Sequence, residues 1–412
     1  MINTRYVLFN STPLLLTEHG RYLCDPFWAK ELKRHIAYIA DLHLCCPIIN
    51  TTPESDMEQL KKTVSYNFGE LEDITNYQLK ILPLEYCKGW LAVFKNFIPN
   101  FLKVKNALSP NCIAHSDCAG WPFPISYYLL PLKLFKSFTW ITVLESTFFL
   151  MNKGDRFNLR KFFSHHLHSL LIPLCLKAAD ARLFTHLKYK NLFLKNIDEN
   201  VYIFQYSMID DEFFTNEEAI QSRLKNIEQR KVRFIMAGRL VHEKGVTLLL
   251  NAIEKLREKN IEAEINIMGS GPLESACREL AAKPQGSVTM AFIEPIAYGR
   301  GFYEYLSTYD FLMLPNLSEE QPRIIFDSFG QGMSIIASDT EGLVATCKHG
   351  ENAIIFKRGD LDSLCEAIES VVSDKSKIIT LGMNGLNYAK SRTHQRMHQD
   401  REKFLKDVMN II

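Results

Sequence analysis

The sequence predicts an α/β protein built on two doubly wound parallel sheets, and three observations predict it. The first is length: 412 residues exceed what one ordinary core organises and suit two α/β domains. The second is the alternation, along the whole chain, of short β-branched or aromatic runs with segments whose apolar residues recur at helical spacing. The third is a polar passage over 207–231, with Asp210, Asp211, Glu212, Glu217 and Glu218 and little core material, which reads as the step between domains. The expected division is 1–205, 206–390 and a last helix over 391–412 that returns to the first domain.

Composition narrows the class. The chain is 47% hydrophobic and 23% charged, which excludes a disordered protein. Its ten cysteines form no Cys-x-x-Cys pair and several stand in apolar runs, so reduced, buried thiols are expected rather than a disulfide framework. The first residues read as a β-strand rather than a leader, and no apolar run reaches the ~18–20 residues of a membrane span. A cytoplasmic protein is expected, either free or peripheral on the inner face of the membrane. The net charge of +1 hides an asymmetry: residues 1–200 hold 23 Lys and Arg against 17 Asp and Glu, and the remainder 25 against 30. A basic front half suits a phosphate-bearing acceptor or an anionic lipid surface, and equally plain solvated charge. No nucleic-acid partner is expected.

Strands are predicted in the first half at 6–9, 42–49, 79–84, 112–115, 138–145, 182–185 and 201–204, with a helix at 90–104. The second half is more regular. Strands at 232–236, 265–268, 288–291, 311–314, 334–337 and 354–356 alternate with helices at 245–259, 273–282, 298–307, 322–330, 361–372 and 383–391. Connections this short make a doubly wound sheet, and such sheets bind ligands outside the carboxyl ends of their strands.

Three segments of the second half carry chemistry. In Phe-Ile-Met-Ala-Gly-Arg-Leu-Val-His-Glu-Lys-Gly (234–245) a buried strand ends at Gly238 and Arg239, and Lys244 opens the next helix. Two cations beside a helix N-terminus suit a diphosphate, though a turn with surface basic residues reads the same way. In Ile-Asn-Ile-Met-Gly-Ser-Gly-Pro (265–272), Gly269 and Gly271 let backbone approach a ligand, or simply make a tight turn. The third segment, 314–332, has Glu319 and Glu320 in a loop, Pro322 where a helix can start, and Asp327 one to two turns on. Two acids so placed suit sugar and ribose hydroxyls, or serve as helix-dipole partner and surface charge.

In this order and at these spacings, the three segments resemble the nucleotide-sugar-binding domain of retaining family-four glycosyltransferases. The resemblance covers about residues 230–380. It implies a GT-B fold, two Rossmann-like doubly wound domains facing across a cleft, and transfer of a sugar from a nucleotide donor of UDP or GDP type. It further implies that Arg239 and Lys244 hold the diphosphate, with Gly238, Gly269 and Gly271 shaping the turns around it. Glu319 would meet the transferred sugar, Asp327 the ribose, and Ile293, after its strand, the nucleobase. No metal or other cofactor is implied, since the two cations take that part. The chain departs from the family at Asp327, where glutamate is usual, and at Glu320-Gln321-Pro322-Arg323, where glycines are usual. There Pro322 offers no N–H, and Arg323 supplies a cation instead.

In the first half the family commonly sets a histidine after each of two successive strands. His115 in Ile-Ala-His-Ser-Asp matches the first, and Glu145 stands where the second is expected; both are read as acceptor-side catalytic residues or as capped strand ends. The acceptor the resemblance implies is a glycan, a lipid-linked sugar or a small hydroxyl compound, with cell-surface polysaccharide biosynthesis as the expected setting. An aromatic and basic stripe (Trp121, Phe123, Tyr127, Tyr128, Lys133, Phe135, Lys136, then Lys153, Arg156, Arg160 and Lys161) reads as a membrane interface or as core. The rival functional readings are a nucleotide-sugar epimerase of the same fold and a non-catalytic partner subunit.

Overall fold

A computed structural model describes the chain apart from residues 65–69, 120–122, 148, 152–157, 198, 226 and 412. Of the stripe above, Trp121, Lys153 and Arg156 lie outside the described residues. Two compact units form, Met1–Gln205 with His398–Ile412, and Tyr206–Met397.

The first unit is organised by seven parallel strands: β1 (Tyr6–Phe9), β2 (Leu42–Asn50), β3 (Lys80–Glu85), β4 (Cys112–Asp117), β5 (Phe138–Leu144), β6 (Ala181–Phe184) and β7 (Val201–Ile203). They lie in the order β3-β2-β1-β4-β5-β6-β7. All four residues of β1 are buried, as a central strand covered on both faces requires. The far end of β2 also pairs with Leu14–Leu16, which continues antiparallel to Tyr22–Cys24 and on to Glu72–Asp73. Strands of two or three residues are too short to show an alternation, so the sequence pattern passes over this extension.

The second unit repeats the design with β8 (Val232–Arg239), β9 (Ala263–Ser270), β10 (Val288–Thr289), β11 (Phe292–Ile293), β12 (Phe311–Leu314), β13 (Ser334–Ser338) and β14 (Ala353–Phe356). The order is β10-β9-β8-β12-β13-β14, all parallel, with β11 also on β9. Chain direction across the sheet reverses between β8 and β12, so the loops leaving those two strands diverge and open a crevice. Phe234 and Phe311, in register on these two strands, stack with ring centroids 5.4 Å apart.

Two expectations change. The stretch 207–231 is no bare linker: it contains the helix Glu217–Leu224, and Met208, Ile209, Ile220 and Leu224 are buried in the second unit. The expected strand 288–291 stops at Thr289, and a separate short strand follows at Phe292–Ile293, because side chains take over the ladder between them. Gln285 Oε1 accepts from the Met290 N–H at 2.7 Å, and Asn266 Oδ1 from that of Ala291 at 2.8 Å. All ten cysteines are free thiols and nine are buried. Among the described residues no helix is long and apolar enough to cross a membrane.

The final helix, His394–Ile411, is joined to the first unit from His398 onward by a buried polar cluster. Glu31, on the helix Pro26–Ile36, accepts from His398 Nε2 at 3.0 Å and lies 3.8 Å from the Arg401 guanidinium. His35 donates from Nδ1 to the Glu31 carbonyl at 2.8 Å. Burial, then the charges of His398 and Arg401, push His35 down to about 3, only partly offset by Glu31. The unfolded chain therefore takes up a proton near pH 6.5 that the native state refuses. Stability is complete above that pH and falls as pH drops toward 3. Moving from pH 7.5 to 5 removes about 2 kcal/mol at His35 alone. Urea unfolding of the first unit at the two pH values measures it, and His35→Gln reduces the difference; an equal pH response in the variant would show that His35 is not the source.

Candidate active site

The crevice of the second unit is built by glycines that bring backbone against backbone. Gly238 has φ +148° and nothing within 4 Å of the position a Cβ would take, so the space on that side of its Cα is open near the end of β8. Leu240 donates its N–H to the Ser270 carbonyl at 2.8 Å, which joins the turns after β8 and β9. A Cβ on Gly269 would lie 1.9 Å from the Gly238 oxygen, and one on Gly271 2.7 Å from that of Leu240. Both glycines are thus demanded by the approach of the two turns. The chain then makes the short 3₁₀ turn His242–Lys244 and enters the helix Val246–Glu258 through Gly245, at φ +76°.

The loop after β12 settles on this turn. Leu317 and Ser318 donate their N–H groups to the Glu243 carbonyl at 2.8 and 3.3 Å, and Ser338 Oγ donates to the Asn316 carbonyl at 2.6 Å. That seating carries Glu320 to the two cations. Its Oε2 lies 3.0 Å from Lys244 Nζ and 3.9 Å from the Arg239 guanidinium. The Lys244 side chain is 14% exposed and that of Arg239 72%. Burial lowers the Lys244 pKa, Arg239 adds to this, and Glu320 opposes it. Burial alone would raise the Glu320 carboxyl, but Lys244, Ser318 and Arg239 together hold it below the ordinary glutamate value. Two cations against one carboxylate leave a net positive charge close in sequence to the open side of Gly238, an arrangement that suits an anion.

The other second-unit residues singled out from the sequence take different positions. Glu319 turns away from the cations: its Oε2 accepts from the Glu341 N–H at 2.8 Å and its Oε1 pairs with Arg358 at 2.7 Å. Gly342 presses on the same loop, where a Cβ would lie 2.8 Å from the carbonyls of Glu319 and Glu320. Asp327, on the helix Ile324–Gly330, is 4% exposed, and its Oδ1 accepts from Tyr298 and Tyr303 at 3.2 and 3.1 Å. Arg323 precedes that helix with its guanidinium 5.5 Å from the Tyr206 ring centroid. Ile293 is half-buried on β11, in register with Met268. The structure therefore gathers Gly238, Arg239, Lys244, Gly269 and Gly271 with Glu320, and does not bring Glu319 or Asp327 to the cations. Sequence reasoning did not assign Glu320 a ligand role. Its one signal was adjacency to Glu319, and the spacing to Asp327 selected the neighbour.

In the first unit, β4 runs two residues past His115. That histidine is consequently in the core, not at a strand end: it is 4% exposed, and its Nδ1 pairs with Tyr6 Oη at 2.6 Å. Burial, His35 and Arg401 drive its pKa well below the usual histidine value. The residue that does stand at the carboxyl end of β4 is Asp117, which burial pushes up to about 6 although Ser11 Oγ donates to it at 3.0 Å. Ser11 also lines an open cavity of about 50 Å³ at the carboxyl ends of β1, β2 and β3, with Pro47, Glu85, Cys87, Asn100 and Tyr128. Glu145 follows β5 directly and is exposed. The wider stripe divides: Tyr127 and Tyr128 are core, Lys133 pairs with Asp180 at 2.5 Å, and Phe135 is exposed.

Residues 231–374 match the family model of Glycosyl transferases group 1. The capsular polysaccharide biosynthesis glycosyltransferase CapM of Staphylococcus aureus is 24% identical over 153 residues, 36% of this chain and 38% of its own. The 2-deoxystreptamine N-acetyl-D-glucosaminyltransferase of Niallia circulans is 25% identical over 162 residues, 38% of this chain and 40% of its own. The matched stretch spans less than half the length of these relatives. Over the whole chain the similarity is one of fold. Sucrose-phosphate synthase of Thermosynechococcus elongatus superposes over 100% of both chains with a TM-score of 0.71 at 14% identity. HepE of Anabaena, solved in complex with UDP, superposes over 98% of this chain and 100% of its own with a TM-score of 0.62 at 12% identity. The chain thus has the GT-B fold, and residues 231–374, which hold the Arg239–Lys244–Glu320 cluster, are the part that matches the group 1 glycosyltransferase model.

Proposed function

We propose that the protein transfers a sugar from a nucleotide-sugar donor to a hydroxyl of a glycan or lipid-linked acceptor in cell-surface polysaccharide assembly, with retention at the anomeric carbon. The observation that carries the reading is the pairing of a largely buried Lys244 with Arg239 over one carboxylate, at the strand reversal and next to Gly238, whose Cβ side is open. In the reaction the bond from the anomeric carbon to the diphosphate oxygen breaks, and one to the acceptor oxygen forms. The acceptor proton leaves to a base or to the departing phosphate. Negative charge grows on the diphosphate as it departs, and the two cations meet it there, which lowers the barrier without a metal ion. Solved structures of HepE with UDP and with UDP-glucose favour UDP as the nucleotide, and the capsular relative favours a polysaccharide acceptor. On the acceptor side, Asp117 and the exposed Glu145 are the acids at the carboxyl ends of β4 and β5, better placed than the core residue His115.

Calorimetric titration with UDP, GDP and ADP, each with and without magnesium, tests the donor site. One nucleotide, UDP, is expected to bind independently of magnesium. Arg239→Ala is expected to weaken it by about 10- to 100-fold, the equivalent of one charge-assisted hydrogen bond. Absence of binding by all three would overturn the assignment. Analysis of the donor after incubation without acceptor separates transfer from epimerisation, since only an epimerase returns an isomeric nucleotide sugar.

A further inference from the structure

The first unit turns apolar side chains outward on a face that carries almost no negative charge. The helices Trp90–Ala107, Ser126–Leu132 and Leu159–Ala178 pack side by side. Phe97 meets Tyr128 at 5.2 Å between ring centroids, Tyr127 Oη hydrogen-bonds His168 Nδ1, and Cys175 Sγ donates to the Ser126 carbonyl at 3.8 Å. Their inward residues Val93, Val104, Leu129, Leu132, Ile172 and Leu176 share one core cluster, so all three helices cover the same side of the sheet. What they show to solvent is ordered. Leu91, Phe94, Ile98 and Leu102 follow one another at helical spacing along the outer stripe of the first helix, with Leu91 88% and Phe94 74% exposed. Leu159, Phe163, Leu170 and Leu174 do the same on the third. Leu134 and Phe135 protrude from the turn after the second, Phe135 at 83% exposure. An ordinary soluble helix carries its apolar stripe inward; these two carry a second one outward.

Charge selects the occupant. Between Glu85 and Glu145 the sole acid is Asp117, against Lys88, Lys95, Lys103, Lys105, Lys133 and Lys136, and the helix Leu159–Ala178 has no acid at all. Lys95, Lys105 and Lys177 are exposed and have no carboxylate partner among the described residues. A second copy of the chain docked symmetrically on this face would set lysine against lysine. An anionic bilayer offers an apolar interior for the stripes and phosphate headgroups for the lysines. We infer that this three-helix face of the first unit lies on an anionic membrane surface, with Leu91, Phe94, Ile98, Phe135, Phe163 and Leu170 entering the headgroup boundary. The inference does not depend on the donor chemistry of the second unit.

Co-sedimentation of the full chain with lipid vesicles tests it, using pure phosphatidylcholine and phosphatidylcholine with phosphatidylglycerol at roughly two to one. Binding to the anionic vesicles is expected, reduced by salt. It is expected to weaken at least about tenfold in the triple variant F94S/F163S/L170S. Because those side chains are exposed, the variant keeps its circular dichroism and thermal midpoint, which excludes misfolding as the cause. Equal binding of wild type and variant overturns the inference, as does failure to bind anionic vesicles. A wild type that ignores vesicles but dimerises in sedimentation velocity, while the variant stays monomeric, assigns the face to a second copy and also overturns it.

Discussion

Lys244→Ala is expected to lower kcat/KM for sugar transfer by about 10²–10³-fold, or ~3–4 kcal/mol of transition-state stabilisation. The expectation rests on where the ammonium sits. Its side chain is 14% exposed, so charge on a departing phosphate is felt there with little screening by water. Burial already lowers its pKa, which means the protonated form has been held in place against a desolvation cost. Glu320, 3.0 Å away, opposes that cost and fixes the ammonium at the position the proposal gives to the diphosphate. A stabiliser of developing charge acts mainly on kcat, whereas a residue serving only ground-state binding would raise KM alone. Lys244→Arg supplies the control: it retains charge but replaces a compact ammonium by a planar fork in a slot shaped for the former, so partial recovery is expected. The thermal midpoint of the alanine variant stays near wild type, because Glu320 keeps Ser318 and Arg239 as partners. Wild-type turnover in Lys244→Ala, with the donor confirmed, would refute the role.

The parts of this protein legible in its sequence are those where one local rule decides the outcome. Buried parallel strands need unbroken apolar runs, and Phe311–Leu314 and Tyr6–Phe9 emerge within the predicted bounds. The cation turn is legible for the same reason: a strand, a glycine with positive φ, and a lysine before a helix are adjacent in the chain. Legibility ends where tertiary contacts choose between neighbours. Glu319 and Glu320 are chemically identical and adjacent. Which one meets Lys244 is decided by Leu317 and Ser318 binding the Glu243 carbonyl, and by Arg358 and the Glu341 N–H drawing Glu319 the other way. His115 and Asp117 show the same limit in a strand. Two residues of extra length, read only from pairing with Thr142 and Val143 of β5, move the strand end from the histidine to the aspartate. The passage over 207–231 looked like a linker because its buried residues, Met208, Ile209, Ile220 and Leu224, are too sparse to show a period.

Gly245→Ala is expected to destabilise the second unit by about 2–5 kcal/mol, from two costs that act together. The first is backbone: at φ +76° an alanine occupies the left-handed region at ~1–2 kcal/mol. The second is space: the new Cβ would lie 1.8 Å from the Pro315 carbonyl oxygen, so the loop after β12 must move or the helix Val246–Glu258 must shift. Overpacking of that kind costs ~1–3 kcal/mol in a close-packed site. For a unit of this size the sum corresponds to a drop of roughly 5–15 °C in its thermal midpoint. Gly238→Ala separates the two terms. Its φ of +148° is also unfavourable for alanine, but its Cβ meets nothing within 4 Å, so only the backbone cost applies. Gly238→Ala is therefore expected to destabilise clearly less, while placing a methyl group where a ligand approaches and weakening nucleotide binding. Equal destabilisation by the two substitutions would mean that the Pro315 contact contributes nothing. A larger loss at Gly245 means that the loop bearing Glu320 and the turn bearing Lys244 are held in register by that contact, so that the stability of the turn and the geometry of the anion site are one property.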